Sequence, residues 1–242
     1  MESHFHNTLI RPNIGEFLGS MLFSFMACFA GQAQSSSNLT YPLLSAIALY
    51  VSRSLFYHAT PAHYNPAVTI LKWTQKEISL AIAISFIFVQ VIGFLFGVTL
   101  FRSLITQGEF NEYIVMYEIV EVDGFRKINR LQAFFMEIAL STIFLSSYNA
   151  EKHQSTTIAA SWGFIQFVSY PLFGFTSNIS LLLVTSTVSY VFSPVTTPSF
   201  SLLYLNFFAS VFAILVTIIL DIVTRQSVPI EEPEESVKSQ VY

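Results

Sequence analysis

Three long stretches of this sequence carry no charged residue, namely positions 17–52, 78–101 and 154–220. A helix crosses the hydrocarbon core of a bilayer with about 20 apolar residues, so these stretches have room for several crossings. Only 11% of all residues are charged, whereas an average soluble domain has about 25%. The chain therefore lacks the charge to cover a water-facing surface of normal size, and the sequence predicts a polytopic all-α membrane protein.

The hydrophobic pattern predicts six membrane-spanning helices, at about 17–34, 41–57, 79–101, 131–150, 156–174 and 203–223. Two apolar stretches remain, after Asn65 and after Asn178, and both are too short to cross. Lys and Arg accumulate on the cytoplasmic side of membranes. A cytoplasmic N-terminus puts seven inside and four outside, so we expect both termini in the cytoplasm. The inner set is Arg11, Arg53, Lys72, Lys76, Lys152, Arg225 and Lys238, and the outer set is Arg102, Arg126, Lys127 and Arg130.

The two ends and the first outer loop carry signals of their own. The segment before Glu16 is polar, and the apolar run after it is too long for a cleaved signal peptide. Residues 225–242 contain the acidic run EEPEES, and this composition predicts a disordered acidic cytoplasmic tail. Asn38 begins an Asn-Leu-Thr sequon in the first outer loop, where N-glycosylation is expected. A single cysteine, Cys28, excludes an intrachain disulfide framework.

The chain repeats itself faintly. GEFLGSMLFSF at 15–25 resembles MEIALSTIFLS at 136–146, so that Glu16 aligns with Glu137. Each glutamate opens a half with three predicted spans and one short apolar stretch. An odd number of spans makes the second half enter from the opposite side of the membrane. The sequence therefore predicts an inverted repeat, with a site near the midplane where the halves meet.

The stretch HYNPAVTI at 63–70 places turn residues at membrane depth. Non-helical backbone is tolerated there only when it is buried in protein or lines a watery cavity. Pro66 suits the first turn of a helix, and Asn65 is a favourable N-cap. The short helix that follows would point its positive end at Asn65, whose amide would donate hydrogen bonds into a pore. The alternative is an ordinary re-entrant turn or a kink between two spans.

The longer stretch SLFYHATPAHYNPAVTI at 54–70 resembles the first pore loop of the aquaporin (major intrinsic protein) family. The resemblance extends to Gly93 in the third span and covers about residues 12–223. It implies a channel domain at 1–224, with halves at about 12–102 and 131–223 and two re-entrant half-helices. The loop residues that match are His58, His63, Asn65, Pro66, Ala67, Val68 and Thr69. The resemblance also implies that Glu16, Glu137, His58, His63 and Gln90 support the loops. Because histidine titrates near neutral pH, the alternative for His58 and His63 is that they make the pore sensitive to pH.

The second loop departs from the family, which has a second Asn-Pro-Ala followed by arginine. The candidates are Asn178-Ile179-Ser180, Ser193-Pro194-Val195 and Thr197-Pro198-Ser199. Spacing favours the first, because a half-helix and a return link must fit before the sixth span near residue 203. Gly174 also lies four residues before Asn178, where the family keeps a glycine. The alternative is that Asn178 is a plain loop residue.

The resemblance also implies which residues form the constriction that selects solutes. One comes from the second span, one from the fifth and two from the second loop, and by spacing they are Ser45, Gln166, Phe175 and Leu181. Leu181 occupies the position of the family's arginine, so no fixed positive charge guards this point. An apolar constriction would either admit larger uncharged solutes or dewet and close.

We therefore predict a passive channel for water and small uncharged solutes such as glycerol. We expect no catalysis, cofactor, metal or nucleic-acid partner, since the five histidines are scattered. The resemblance implies a homotetramer in the lipid bilayer, and the sequon favours a eukaryotic plasma or internal membrane. One alternative is a non-conducting structural or adhesive protein on the same fold. An ion-coupled transporter is disfavoured, because 154–220 offers no charged group for coupling.

Overall fold

The structure, a computed structural model, describes residues 6–31, 39–114, 119, 121–122, 125–150, 154–174, 177–192, 200 and 202–224. Within these residues, six α-helices have 17 to 25 residues and three are shorter. A π-helical turn at His6–Ile10 leads into the first of them. The helices are α1 (Arg11–Gly31), α2 (Thr40–Phe56), α3 (Pro66–Thr74), α4 (Leu80–Leu104), α5 (Gln107–Tyr113), α6 (Arg130–Ser147), α7 (Ser155–Phe173), α8 (Ile179–Phe192) and α9 (Leu203–Thr224).

The six long helices confirm the predicted all-α membrane fold, with one difference at the start. Helix α1 begins at Arg11 rather than near residue 17. The Arg11 guanidinium donates to the carbonyl of His58 at 2.8 Å, which holds this polar first turn against the following loop. By length and composition alone, three described helices qualify as membrane spans: Asn7–Gly31, Leu80–Leu104 and Leu203–Thr224. Helices α2, α6 and α7 are shorter and carry buried polar side chains on their inner faces.

The packing of the helices follows the inverted repeat. In each half the first long helix packs on the third, α1 on α4 and α6 on α9. The two halves meet where α2 packs against α7. The short helices α3 and α8 each contact both α4 and α9, the third long helices of the first and the second half. Helices α3 and α8 are therefore enclosed at the interface between the halves.

Helices α1 and α4 approach each other closely at two glycines. A Cβ atom on Gly97 would lie 2.1 Å from Ser24 Oγ and 2.2 Å from the carbonyl oxygen of Met21. A Cβ atom on Gly93 would lie 2.4 Å from the carbonyl oxygen of Phe17. Because backbone atoms cannot move aside cheaply, only glycine permits this contact.

The alignment of the two repeats also places Phe23 opposite Phe144, and both belong to the aromatic core. Phe23 and Phe144 both contact the buried ring of Trp162 edge to face, at centroid distances of 5.5 and 5.2 Å. The outer surface is also apolar, as expected for a lipid-facing bundle. Exposed phenylalanines stand on α4 and α9, namely Phe88, Phe96, Phe207, Phe208 and Phe212. The connection between the halves contains α5 and a two-stranded hairpin of β1 (Glu121–Val122) and β2 (Phe125–Arg126).

Candidate functional site

The first loop ends at a capped helix. Asn65 has extended backbone angles and its side-chain oxygen accepts from the Ala67 N–H at 2.9 Å. Pro66 occupies the first position of α3, where its missing N–H costs no hydrogen bond. Asn65 is 1% exposed. The N-terminus of α3 therefore starts deep inside the bundle.

The second loop has the same cap without the proline. The side-chain oxygen of Asn178 accepts from the Leu181 N–H at 3.2 Å, and Asn178 is 1% exposed. Ile179 and Ser180 are the first two residues of α8, where the first loop has Pro66 and Ala67. The other two candidates, at 193–195 and 197–199, lie outside the described residues.

The two capping asparagines exchange hydrogen bonds between the loops. Asn65 Nδ2 donates to the carbonyl of Ser177 at 2.5 Å, and Asn178 Nδ2 donates to the carbonyl of Tyr64 at 2.7 Å. The acceptor in each case is the residue just before the other asparagine. A side-chain amide has two N–H donors. Each asparagine uses one of them in this exchange, and its second N–H can donate to another group. The arrangement brings two helix N-termini and two amides together at one place.

Glu16 holds the first loop from α1. One carboxylate oxygen accepts from the Thr60 hydroxyl at 2.5 Å and from the His63 N–H at 2.9 Å. The other accepts from the Tyr64 N–H at 3.0 Å and from Gln90 Nε2 at 2.8 Å. Glu16 is fully buried. Four donors satisfy the carboxylate, as a buried charge requires.

Glu137 holds the second loop in the corresponding way. One of its oxygens accepts from the Ser177 N–H at 2.8 Å, from Asn206 Nδ2 at 2.7 Å and from the Ser141 hydroxyl at 3.3 Å. Asn206 stands on α9 as Gln90 stands on α4, so each carboxylate takes one amide from the third long helix of its half. The sequence analysis missed Asn206. The signal that would have identified Asn206 is an amide side chain inside an otherwise apolar span.

The residues before the asparagines have left-handed backbone angles. The φ angle is 46° at Tyr64 and 65° at Ser177, which is uncommon for residues other than glycine. In this conformation the N–H of Tyr64 donates to Glu16, and the N–H of Ser177 donates to Glu137. The Tyr64 ring then lies over Gly19, where a Cβ atom would approach ring atoms to 2.0–2.2 Å. The Tyr64 ring can therefore pack here only because Gly19 has no side chain.

The two histidines have different surroundings. His63 is buried, its Nδ1 lies 3.2 Å from Thr69 Oγ1, and its carbonyl accepts from the Tyr148 hydroxyl at 3.1 Å. The His58 side chain is exposed, and the bond to Arg11 is made by its carbonyl. His58 is therefore tied to α1 through its backbone, and a loop-supporting role for its exposed side chain stays a prediction.

Three of the four predicted constriction residues lie in the described structure. Ser45 is buried and its hydroxyl donates to the Pro42 carbonyl at 3.0 Å within α2. Gln166 on α7 and Leu181 on α8 are buried as well. Phe175, the predicted glycosylation site Asn38 and the tail at 225–242 lie outside the described residues.

The sequence analysis also missed an arginine beside the first loop. Arg53 is fully buried on α2, where it was expected at the inner surface. Its Nη1 donates to the carbonyl of Ala62 and to the Tyr148 hydroxyl, the latter at 3.1 Å. The guanidinium carbon lies 4.9 Å from the centre of the Tyr148 ring. The sequence did show that Arg53 stands at the end of the second predicted span, only nine residues before Ala62 in the first loop. This nearness was the available signal that Arg53 contacts the loop.

An open cavity of about 390 Å³ adjoins the first loop and Tyr148, the tyrosine that Arg53 contacts. We call it the first-loop mouth; it is lined by Tyr57, Ala59, Thr60, Pro61, His63, Lys72, Glu77 and Tyr148. Lys72 is buried and pairs with Glu77 at 2.8 Å. In the described part of the chain, no cluster of three or more His, Cys, Asp or Glu side chains could hold a metal ion.

Comparisons with known proteins agree with this architecture. A family model described as "Major intrinsic protein" matches residues 3–194. The chain is 26% identical over 136 residues to the "Glycerol uptake facilitator protein-like 6" of Lactiplantibacillus plantarum. That match covers 56% of this chain and 61% of the relative, which is less than two thirds of its length. Among solved structures, the aquaglyceroporin from Plasmodium falciparum superposes with a TM-score of 0.69, at 19% identity, over 88% of this chain and 95% of that one.

Proposed function

The chain belongs to the major intrinsic protein family, whose members are channels rather than enzymes, and from this we propose a specific role. We propose that it is a passive channel for water and small uncharged solutes such as glycerol. The integral membrane fold and the family support transport of this kind. The names of both relatives refer to glycerol transport, which supports a polyol as a second solute beside water.

The observation that carries the proposal is the exchange of amides between Asn65 and Asn178. Each amide keeps a second N–H, and the oxygen of a passing solute would accept from both. The N-termini of α3 and α8 bring positive dipole ends to the same place. Such ends repel cations and reorient water, which interrupts a chain of proton transfer. A neutral molecule with hydroxyl oxygens suits this environment and an ion does not.

The constriction is proposed to consist of Ser45, Gln166, Phe175 and Leu181. Leu181 carries no charge, so the solute would meet hydrogen-bonding groups only from Ser45 and Gln166. An apolar residue at this point favours a larger solute with a carbon backbone over water alone. This is the reason to include glycerol among the proposed solutes.

The assembly and orientation follow from the same proposal. We infer a homotetramer with one pore in each subunit, formed by the channel domain at 1–224. Both termini would lie in the cytoplasm, including an acidic tail at 225–242. The proposed membrane is a eukaryotic plasma or internal membrane, where Asn38 would face the glycosylated side.

Osmotic shrinkage of proteoliposomes tests the proposal. Vesicles containing the full chain are mixed with sucrose and then with glycerol, and light scattering is followed by stopped flow. We expect shrinkage faster than in empty vesicles, lost in an Asn65→Asp variant because a carboxylate cannot donate to the solute. Asn111→Asp is the matched control, since Asn111 is exposed on α5 away from both loops.

Folded wild-type protein that shrinks no faster than empty vesicles would overturn the channel proposal. The structural or adhesive role would then be favoured, with Leu181 closing the pore.

A further inference from the structure

Arg53 carries a buried charge that the described protein does not neutralise. It is fully buried, and its Nε and Nη2 have no hydrogen-bond partner in the described part of the chain. The nearby carboxylate of Glu16 is already satisfied by four donors. Glu77 pairs with Lys72. A buried guanidinium that no carboxylate neutralises, with donors left unpaired, is costly, and we look for a function that would justify this cost.

The contacts of Arg53 direct it to the first-loop mouth. Its Nη1 donates to the carbonyl of Ala62, which lies between two residues that line this cavity. Its guanidinium lies over the ring of Tyr148, which also lines the cavity. The Tyr148 hydroxyl in turn donates to the carbonyl of His63. Arg53 and Tyr148 therefore form one hydrogen-bonded group with the backbone of the first loop.

The repeat gives Arg53 a counterpart in the second half. Arg53 stands twelve residues before Asn65, and Gln166 stands twelve residues before Asn178. Both are fully buried, and they belong to α2 and α7, which pack together between the halves. Because the repeat is inverted, equivalent residues lie at opposite ends of the path. Gln166 belongs to the proposed constriction at one end, so Arg53 occupies the equivalent place at the other.

We propose that Arg53 is a specificity-determining residue at a second constriction, at the first-loop mouth. Its fixed positive charge excludes cations, and its unpaired N–H groups donate to the oxygens of uncharged solutes as they enter. Tyr148 is a positioning residue that holds the guanidinium beside the loop. This inference rests on the proposed channel function and adds the group that selects solutes at the end opposite Leu181.

The test replaces Arg53 in the full chain and measures selectivity rather than rate alone. Water permeability, glycerol permeability and potassium leak are compared for wild type, Arg53→Met and Arg53→Lys in proteoliposomes. We expect Arg53→Met to lower the glycerol-to-water ratio about tenfold, the effect of losing one hydrogen bond from a charged donor. It should also raise the potassium leak above that of wild type, because only the positive helix ends at the two asparagines would then repel cations. Arg53→Lys should keep potassium out because it keeps the charge.

Arg102→Met is the matched control. Arg102 also stacks over aromatic rings, Phe110 and Phe192, and also donates to a backbone carbonyl, that of Ile105. It lies at the end of α4, away from the two loops. Its loss should leave the glycerol-to-water ratio and the potassium leak unchanged.

A labelling experiment covers the case in which Arg53→Met fails to fold. Arg53→Cys is made together with Cys28→Ser, which removes the only native cysteine, and is treated with a charged methanethiosulfonate. Block of water flow is expected in Arg53→Cys but not in Ser54→Cys, because Ser54 is exposed on the surface of α2.

The possible results separate the two proposals. If the wild type conducts but folded Arg53→Met has the same selectivity, the role of Arg53 is overturned and the channel proposal stands. The same holds if the wild type conducts but labelling does not block Arg53→Cys. A wild type that does not conduct overturns the channel proposal and this inference with it.

Discussion

Asn65 and Asn178 each donate a hydrogen bond to the carbonyl that precedes the other, at 2.5 and 2.7 Å. The side-chain oxygen of each also caps its own short helix. Each asparagine therefore fixes two elements, the helix that it begins and the loop of the opposite half. This double role explains why the amide is present in both loops although the proline and alanine are present in only one.

We predict that Asn178→Asp abolishes water flow as completely as Asn65→Asp. Aspartate keeps the cap but replaces the Nδ2 donor with an oxygen that faces the Tyr64 carbonyl. Stopped-flow shrinkage of vesicles should fall to the rate of empty vesicles. Near-normal flow in folded Asn178→Asp would mean that the second loop does not contribute a donor to the path.

Restoring a proline in the second loop should have little effect. Ile179 occupies the first position of α8, where a helix has no N–H bond to lose. We expect Ile179→Pro to retain water permeability and thermal stability close to wild type. Leu182→Pro is the contrasting variant, because the Leu182 N–H donates to the Asn178 carbonyl at 3.0 Å. Its melting temperature should fall, since an interior proline costs about 3 kcal/mol.

Gly19→Ala should destabilise the first half. The added Cβ would overlap the Tyr64 ring at 2.0–2.2 Å, and overpacking of this kind costs about 1–3 kcal/mol. Thermal unfolding of detergent-solubilised protein measures the change. Gly108→Ala is the control, since a Cβ there meets nothing within 4 Å. Adding Tyr64→Leu to Gly19→Ala should recover part of the loss, and no recovery would argue against the ring as the cause.

Glu137→Gln should lower stability and permeability together. One carboxylate oxygen accepts from Ser177, Asn206 and Ser141, and a neutral amide oxygen in its place would accept more weakly. A hydrogen bond to a charged group contributes about 1.5–3 kcal/mol, and a neutral one about 0.5–1.5 kcal/mol. Glu112→Gln is the control, because Glu112 is exposed on α5. Equal melting temperatures for the two variants would contradict the anchoring role of Glu137.

Local signals predicted the fold and the first loop. The uncharged runs bounded the long helices, and the Asn-Pro pair indicated both the cap and the first turn of α3. The aligned glutamates indicated the repeat, and Phe23 and Phe144 do meet on the same ring. Spacing and the position of Gly174 led to Asn178, because the remaining chain had to fit a short helix before α9.

Interactions between distant segments were not predictable in the same way. Arg53 counted as an inner surface charge, because a sequence does not show that a carbonyl and a tyrosine ring lie within its reach. Asn206 was missed because its partner Glu137 stands on another helix. His58 is exposed and bonds to Arg11 through its carbonyl, just beyond the end of α2. In each case the deciding contact joins parts of the chain that the sequence does not place side by side.

The exchange of amides also has a consequence for biogenesis. The ribosome completes the first half before the second half is made. The Asn65 amide and the Tyr64 carbonyl therefore enter the membrane before their partners in the second half, Ser177 and Asn178, are present. Unpaired polar groups in hydrocarbon are costly. Insertion of the second half supplies the missing donor and the missing acceptor in one step. Truncated or stalled chains would lack both, which would mark them for removal by the cell's quality control.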